Sequence, residues 1–137
     1  MDANFSFSTE RARDLVRIQM AGLFTRADIL AFLEERRLAH AQLGCAPNRH
    51  LTLNDVRGMK IQSQEGVAMF REMLADPAYR SRRLAFVASQ TLARSQLMRA
   101  LDGREARCFD NVEEAEAWLF AEETEAVEAP LRRYASR

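Results

Sequence analysis

The chain reads as an α/β protein: a single domain built on a mixed, mostly parallel five-stranded sheet with an N-terminal antiparallel hairpin and about four helices. Three observations predict this. Period-two alternation of apolar and polar residues near the N-terminus marks paired strands. Two later apolar runs, residues 83–88 and 104–109, each precede a helix-like segment. That strand-helix-strand-helix succession builds a parallel sheet with helices packed on it. The length, 137 residues, fits one domain able to bury roughly 68% of the surface its unfolded form exposes.

Phe5 and Phe7 alternate with Ser6 and Ser8, and Val16, Ile18 and Met20 alternate with Arg17 and Gln19. Polar residues 9–14 join the two runs, so they predict a hairpin with one buried face. Gly22 ends it. Thr25, with Asp28 three residues on, makes a variant capping box, and the helix it starts is expected to run to about Leu43. Ile29, Leu30, Phe32 and Leu33 supply its apolar residues. Arg36 and Arg37 interrupt that stripe, which predicts a surface position for the later half, with arginine stems covering apolar neighbours.

Residues 44–48, with Gly44 and Pro47, compose a loop. Residues 50–56 alternate Leu51, Leu53 and Asp55 against Thr52 and Asn54 and read as a central strand. Residues 57–64 make a polar connector. Val67, Phe70 and Leu74 then fall at i, i+3, i+7, the inward face of a helix that Asp76 and Pro77 terminate. After the strand at 83–88 come a helix at 92–101 and the strand at 104–109. The last helix is capped by Asn111, carries Glu113 and Glu114 at the positive end of its dipole, and turns Val112, Ala115 and Leu119 inward. Residues 1–123 form the domain. Residues 124–137 form a tail expected to order by docking on a partner subunit.

The charges balance, 20 basic against 20 acidic, so no global field attracts nucleic acid or anionic lipid. Every basic residue but Lys60 is arginine, spread along the chain as a compositional bias would spread it. No apolar run is long enough to span a bilayer. The N-terminus has neither the basic nor the apolar region of a secretion signal. Two cysteines, Cys45 and Cys108, make no disulfide framework. These features predict a cytoplasmic protein.

The order strand, strand, helix, strand, helix, strand, helix, strand, helix has several sequence anchors. They are residues 15–22 followed by Thr25 and Asp28, the strand end from Leu53 to Gly58, and the block Arg83-Leu-Ala-Phe-Val-Ala-Ser. A further block is Cys108-Phe-Asp-Asn-Val-Glu-Glu-Ala-Glu-Ala-Trp-Leu119. Together they resemble the STAS family of anti-sigma-factor antagonists, in particular its bacterial SpoIIAA-like branch. The likeness spans residues 4–120 by element order. It implies the fold and, for function, a non-catalytic regulatory or protein-interaction module, working as a homodimer with a protein partner still to be identified.

Antagonists of this family carry an Asp-Ser-Ser-Gly-like turn after the third strand, where a serine is phosphorylated. The matching region here is Ile61-Gln-Ser-Gln-Glu-Gly66. Aligned on Asp55 and Gly58 without a gap, Gln64 takes the serine's place; with a one-residue gap, Ser63 does. The acidic neighbour is missing in both registers. Ser63 is therefore a candidate helix cap or phosphoacceptor.

Reactive constellations are sparse. There is no glycine-rich phosphate loop, and no histidine lies near Ser63, Ser89 or Cys108 in sequence to activate a nucleophile. His40, Cys45 and His50 are separated by four residues each time. Structural zinc sites use tighter paired spacings and a fourth ligand, so no metal and no cofactor is expected. In open α/β sheets ligands bind beyond the carboxyl ends of the parallel strands. Those ends carry Asp55, Arg57, Ser89, Gln90, Thr91 and Asp110, a candidate ligand or partner surface. Met59, Met69, Met73 and Met98 either fill core gaps or line an apolar pocket. The second functional reading is thus a small-ligand or lipid-binding carrier, its pocket lying between the sheet and the helices of Phe70 and Leu97.

Overall fold

The computed structural model describes residues 2–89, 92–100 and 106–121. Its five strands are β1 (Asn4–Glu10), β2 (Leu15–Gly22), β3 (Leu51–Met59), β4 (Arg83–Val87) and β5 (Ala106–Phe109). They lie in sequence order across one sheet. β1 is antiparallel to β2, and every later pairing is parallel. The four helices are α1 (Arg26–Ala41), α2 (Gln64–Ala75), α3 (Leu92–Ala100) and α4 (Val112–Phe120). The mixed five-stranded architecture expected from the sequence is the one observed.

Period two assigns each strand residue to a face. Val16, Ile18 and Met20 of β2, Val56 of β3, and Leu84 and Phe86 of β4 form one core with Ile29 and Phe32 of α1 and with Phe70, Leu74 and Leu97 of α2 and α3. Leu15, Leu51, Leu53, Ala85 and Val87 point to the opposite face, where α4 covers them with Ala115, Trp118 and Leu119. The middle strands are thus buried on both sides, as parallel strands between helix layers must be. The second face of the hairpin is polar: Arg17 there bonds Glu10 at 2.8 Å and Glu116 of α4 at 2.7 Å.

Local signals set the boundaries. Phe7 pairs with Ile18 and Phe5 with Met20, which aligns the two alternating runs on one face. Thr25 accepts from the backbone of Asp28 while the Asp28 carboxylate accepts from Thr25, completing the capping box. Gly22 is required: its φ is +88°, and an added Cβ would collide with the Asp2 carbonyl. β3 runs on to Met59 because Gly58 and Met59 pair with Ala21 and Gly22 beyond a register shift in β2. Three of the eight residues taken for a connector, 57–59, are therefore strand.

In the later half of α1, Glu34, Glu35, Arg37, Leu38 and Ala41 are exposed as expected, but Arg36 departs from expectation. Arg36 continues the stripe Ile29–Phe32 at i+7, and its side chain is only 11% exposed. It donates to the Met73 carbonyl at 3.2 Å and lies 4.0 Å over the Tyr79 ring. Ala39 is buried as well, whereas Leu30 is 51% exposed. Guanidinium hydrogen bonding and ring stacking let an arginine occupy the inward stripe.

Candidate functional site

β2, β3 and β4 end side by side beneath α2 and α3, and the helices do not fill the space. A cavity of about 70 Å³ remains, walled by Met20 and Val56 from the sheet, Phe70 and Met73 from α2, Phe86 from β4 and Leu97 from α3. Met59, Val67, Leu74 and Ala88 complete its apolar lining. It lies in the gap between the sheet and the Phe70 and Leu97 helices. Met59 and Met73 line it; Met69 packs on the core, and Met98, 49% exposed, points elsewhere.

One polar group stands deep in this wall. Asn54 lies in register between Ile18 and Phe86 at mid-sheet and is 4% exposed. Its Oδ1 is buried and accepts no hydrogen bond among the described residues. The alternation of Thr52 and Asn54 against Leu51 and Leu53 suggested a polar face, yet a central parallel strand has none. A polar residue at the middle of a strand buried on both faces is the one sequence signal that marks Asn54.

The rim is polar and carries Arg57, Lys60, Gln62, Ser89, Arg94 and Gln96. Arg57 forks onto Asp55 at 2.8 and 3.0 Å. Burial pushes the Asp55 carboxyl up, but the side-chain and backbone hydrogen bonds of Arg57 outweigh it and hold the group below its ordinary value. Arg94 donates to Asp110 at 3.2 Å and to the Ala88 carbonyl at 3.3 Å. Lys60 is exposed and makes no ion pair among the described residues.

Gln62 ties the rim together. Its side chain accepts from the Phe24 backbone at 2.9 Å and donates to the carbonyls of Gly22 and Lys60. Its backbone exchanges two bonds with the Gln96 side chain, at 2.9 and 3.2 Å, which closes α3 onto the β3–α2 link. Nothing in the spacing of residues 57–64 pointed to this role, because each partner is distant in sequence.

Of the expected surface residues, Arg57 and Ser89 reach the rim, while Asp55 and Asp110 stand behind it, holding arginines in place. Gln90 and Thr91, and the tail from 124, lie outside the described residues. Ser63 sits at the N-terminus of α2, where its Oγ accepts from Gly66 N at 3.0 Å. Ser63→Ala is expected to lower stability by about 0.5–2 kcal/mol, the cost of a lost cap. Urea denaturation measures it, and a change near zero would mean that the cap bond is not formed.

His40, Cys45 and His50 do not converge. The two imidazoles meet edge to face at 4.5 Å. No group of three or more His, Cys, Asp or Glu side chains is placed to hold a metal ion among the described residues. The Cys45 and Cys108 thiols are pushed up by burial, away from the thiolate form that a nucleophile needs. Among the described residues no helix is long and apolar enough to cross a membrane.

No protein-family model matches the chain, and no curated protein matches it. A solved structure does: an uncharacterized protein of the DUF3478 family from Shewanella loihica PV-4, described as having a SpoIIAA-like fold. It superposes with a TM-score of 0.66 over 87% of this chain and 96% of that one, at 16% sequence identity. Agreement across nearly the full length of both chains, with the strand order and helix placement described above, shows that this chain has the SpoIIAA-like fold.

Proposed function

We propose that the chain is a non-catalytic, SpoIIAA-like binding module whose cavity under α2 and α3 takes a small, largely apolar molecule. The cavity itself carries this reading: apolar side chains from three strands and two helices line it and a polar rim surrounds its mouth, the usual design of a small-molecule site. Its size separates two kinds of ligand. One water needs about 10–15 Å³ on the same measure, so 70 Å³ suits a compact molecule of several non-hydrogen atoms and is too small for a long acyl chain.

Methyl NMR of the methionines tests the proposal. Adding phenylpropionate should shift the Met20, Met59 and Met73 methyls while leaving Met98 in place, and Val56→Phe should abolish the shifts by filling the space. Unchanged methyls would remove the reading. So would turnover in a broad hydrolase or transferase screen that a single polar substitution at a strand end abolishes.

A protein-interaction role is the second reading, and it is compatible with the first if occupancy is sensed by a partner. It is favoured by Leu23 and Ile61, which follow β2 and β3 and are 43% and 52% exposed. We read the protein as cytoplasmic and homodimeric in this role, which light scattering tests. Ser63 acts here as a cap, since its Oγ is committed to Gly66 and no acidic residue precedes it. Phosphoserine at position 63 in protein from the native host, with a partner released by it, would reverse that assignment.

A further inference from the structure

We propose that the pole where the parallel strands begin is a docking surface for the chain's own acidic segment, residues 122–128, which crosses it from the end of α4. The proposal is independent of the cavity under α2 and α3, which lies at the other ends of the strands.

Three connections meet at this pole. Residues 11–14 precede β2, the loop ending at His50 precedes β3, and residues 77–82 precede β4. They are tied together. Leu51 N donates to the Asp14 carbonyl at 2.8 Å, Arg82 N to the His50 carbonyl at 2.8 Å, and the Asn48 side chain to the Arg80 carbonyl at 2.9 Å. Each connection contributes arginine. Arg11, Arg49 and Arg80 are exposed and make no ion pair among the described residues. The carboxylates nearby are engaged: Glu10 by Arg13 and Arg17, Asp76 by Arg36 at 3.7 Å, and Asp14 by the Cys45 thiol. Among the described residues this cationic surface therefore lacks its counter-charge.

The end of α4 opens onto it. Arg13 lies 4.3 Å over the Phe120 ring, and Arg83 donates to the Trp118 carbonyl at 3.1 Å. Residues 122–128 then read Glu-Glu-Thr-Glu-Ala-Val-Glu, with four carboxylates and no cation. Beyond a helix C-terminus such charges meet the negative end of the dipole, so they gain by turning toward cations. Neighbouring strands are about 4.8 Å apart, which sets the connections before β2 and β4 about 10 Å apart. Seven extended residues reach about 23 Å, enough to pass Arg13, Arg11 and Arg49 in turn. Single exposed pairs are weak, but the tether keeps the segment at an effective concentration on the order of millimolar. Several pairs formed together then hold it.

Zero-length carbodiimide coupling of the full chain tests this, because it joins a carboxylate only to an amine it touches. The one natural lysine, Lys60, follows the far end of β3, so the wild-type chain sets the background. The conservative variants Arg11→Lys and Arg49→Lys each bring one amine to the pole. Peptide mapping should find that amine joined, within one chain, to a glutamate among 122–128. The yield should be several-fold above that at Lys60 and should fall as salt is raised. Changing Glu122, Glu123, Glu125 and Glu128 to glutamine should abolish the link. An introduced amine joined only to Glu10, Asp14 or other carboxylates outside the segment overturns the proposal, as does equal coupling of the segment to Lys60. A covalent dimer, with the segment of one chain on the amine of another, also overturns it and assigns the surface to a second copy. If the lysine variants do not fold, the guanidinium Nε–H resonances of the natural chain serve. Those of Arg11 and Arg49 should shift in the four-glutamine chain while that of Arg57, engaged by Asp55, stays in place; unshifted signals overturn the proposal as well.

Discussion

Replacing Phe32 with alanine is expected to cost about 3–5 kcal/mol of folding stability, the range for truncating a fully buried phenylalanine. Phe32 is 0% exposed and is the ring on which the helical face of the sheet converges. Phe5 meets it edge-on at 5.3 Å, Phe24 at 6.4 Å and Phe70 at 6.5 Å, and Phe7 lies tilted against it at 4.9 Å. It therefore joins β1 to α1 and α1 to α2, and its loss leaves a hole that three separate elements would have to close. Domains of this size are stable by only about 5–15 kcal/mol, so the variant should stand near the unfolding threshold. Urea denaturation should show a lower midpoint at unchanged slope. Leu30→Ala, on the same helix but 51% exposed, is the control, with an expected change within about 0.5 kcal/mol. Equal small losses in the two variants would mean that α1 does not dock through Phe32.

The elements that were legible in the sequence are those whose periodicity is local. Phe5, Phe7, Val16, Ile18 and Met20 announce a hairpin because alternation has only one explanation in so short a stretch. Thr25, Ser63 and Asn111 start their helices through bonds to the backbone three residues on, which a sequence displays directly. Arg36 was misread because a charge in an apolar stripe is ordinarily a surface residue. Its burial depends on Tyr79, Met73 and Asp76, which the fold alone brings near. The candidate site divides in the same way. Arg57 and Ser89 were found by the rule that ligands lie beyond strand ends. Asn54, Gln62 and Gln96 were missed, since their significance comes from what surrounds them and not from their type or spacing.

The far end of the sheet should make stability fall as the solution turns acidic. There α1 presents Arg36 and His40, the start of β3 presents His50, and the turn after α2 presents Asp76 and Tyr79. The His40 ring stands edge to face with His50 at 4.5 Å and with Tyr79 at 5.0 Å. His50 is 3% exposed and bonds Ser81 Oγ at 3.3 Å, which in turn bonds Thr52 at 2.6 Å. Burial lowers the His40 pKa from 6.5 to about 4, with the neighbouring His50 and Arg36 acting in the same direction. In the unfolded chain His40 takes its proton near 6.5; in the folded chain it resists until about 4. Between those values the unfolded state holds more protons, so stability is full above pH 6.5, drops as pH falls through the window, and loses nothing further from this group below it. The span corresponds to at most about 3 kcal/mol. The lowered carboxylates Glu10, Glu34 and Asp55 lose their stabilising charge only below their own ordinary values near 4, so the upper part of the window belongs to the imidazole. Urea midpoints taken at half-unit steps from pH 7.5 to 4 should trace this decline, and His40→Phe should flatten it by keeping the ring contact and removing the proton site. A wild-type midpoint that holds constant down to pH 4.5 would show that the imidazole protonates in the folded state as readily as in water, and that the ring cluster opens to admit the charge.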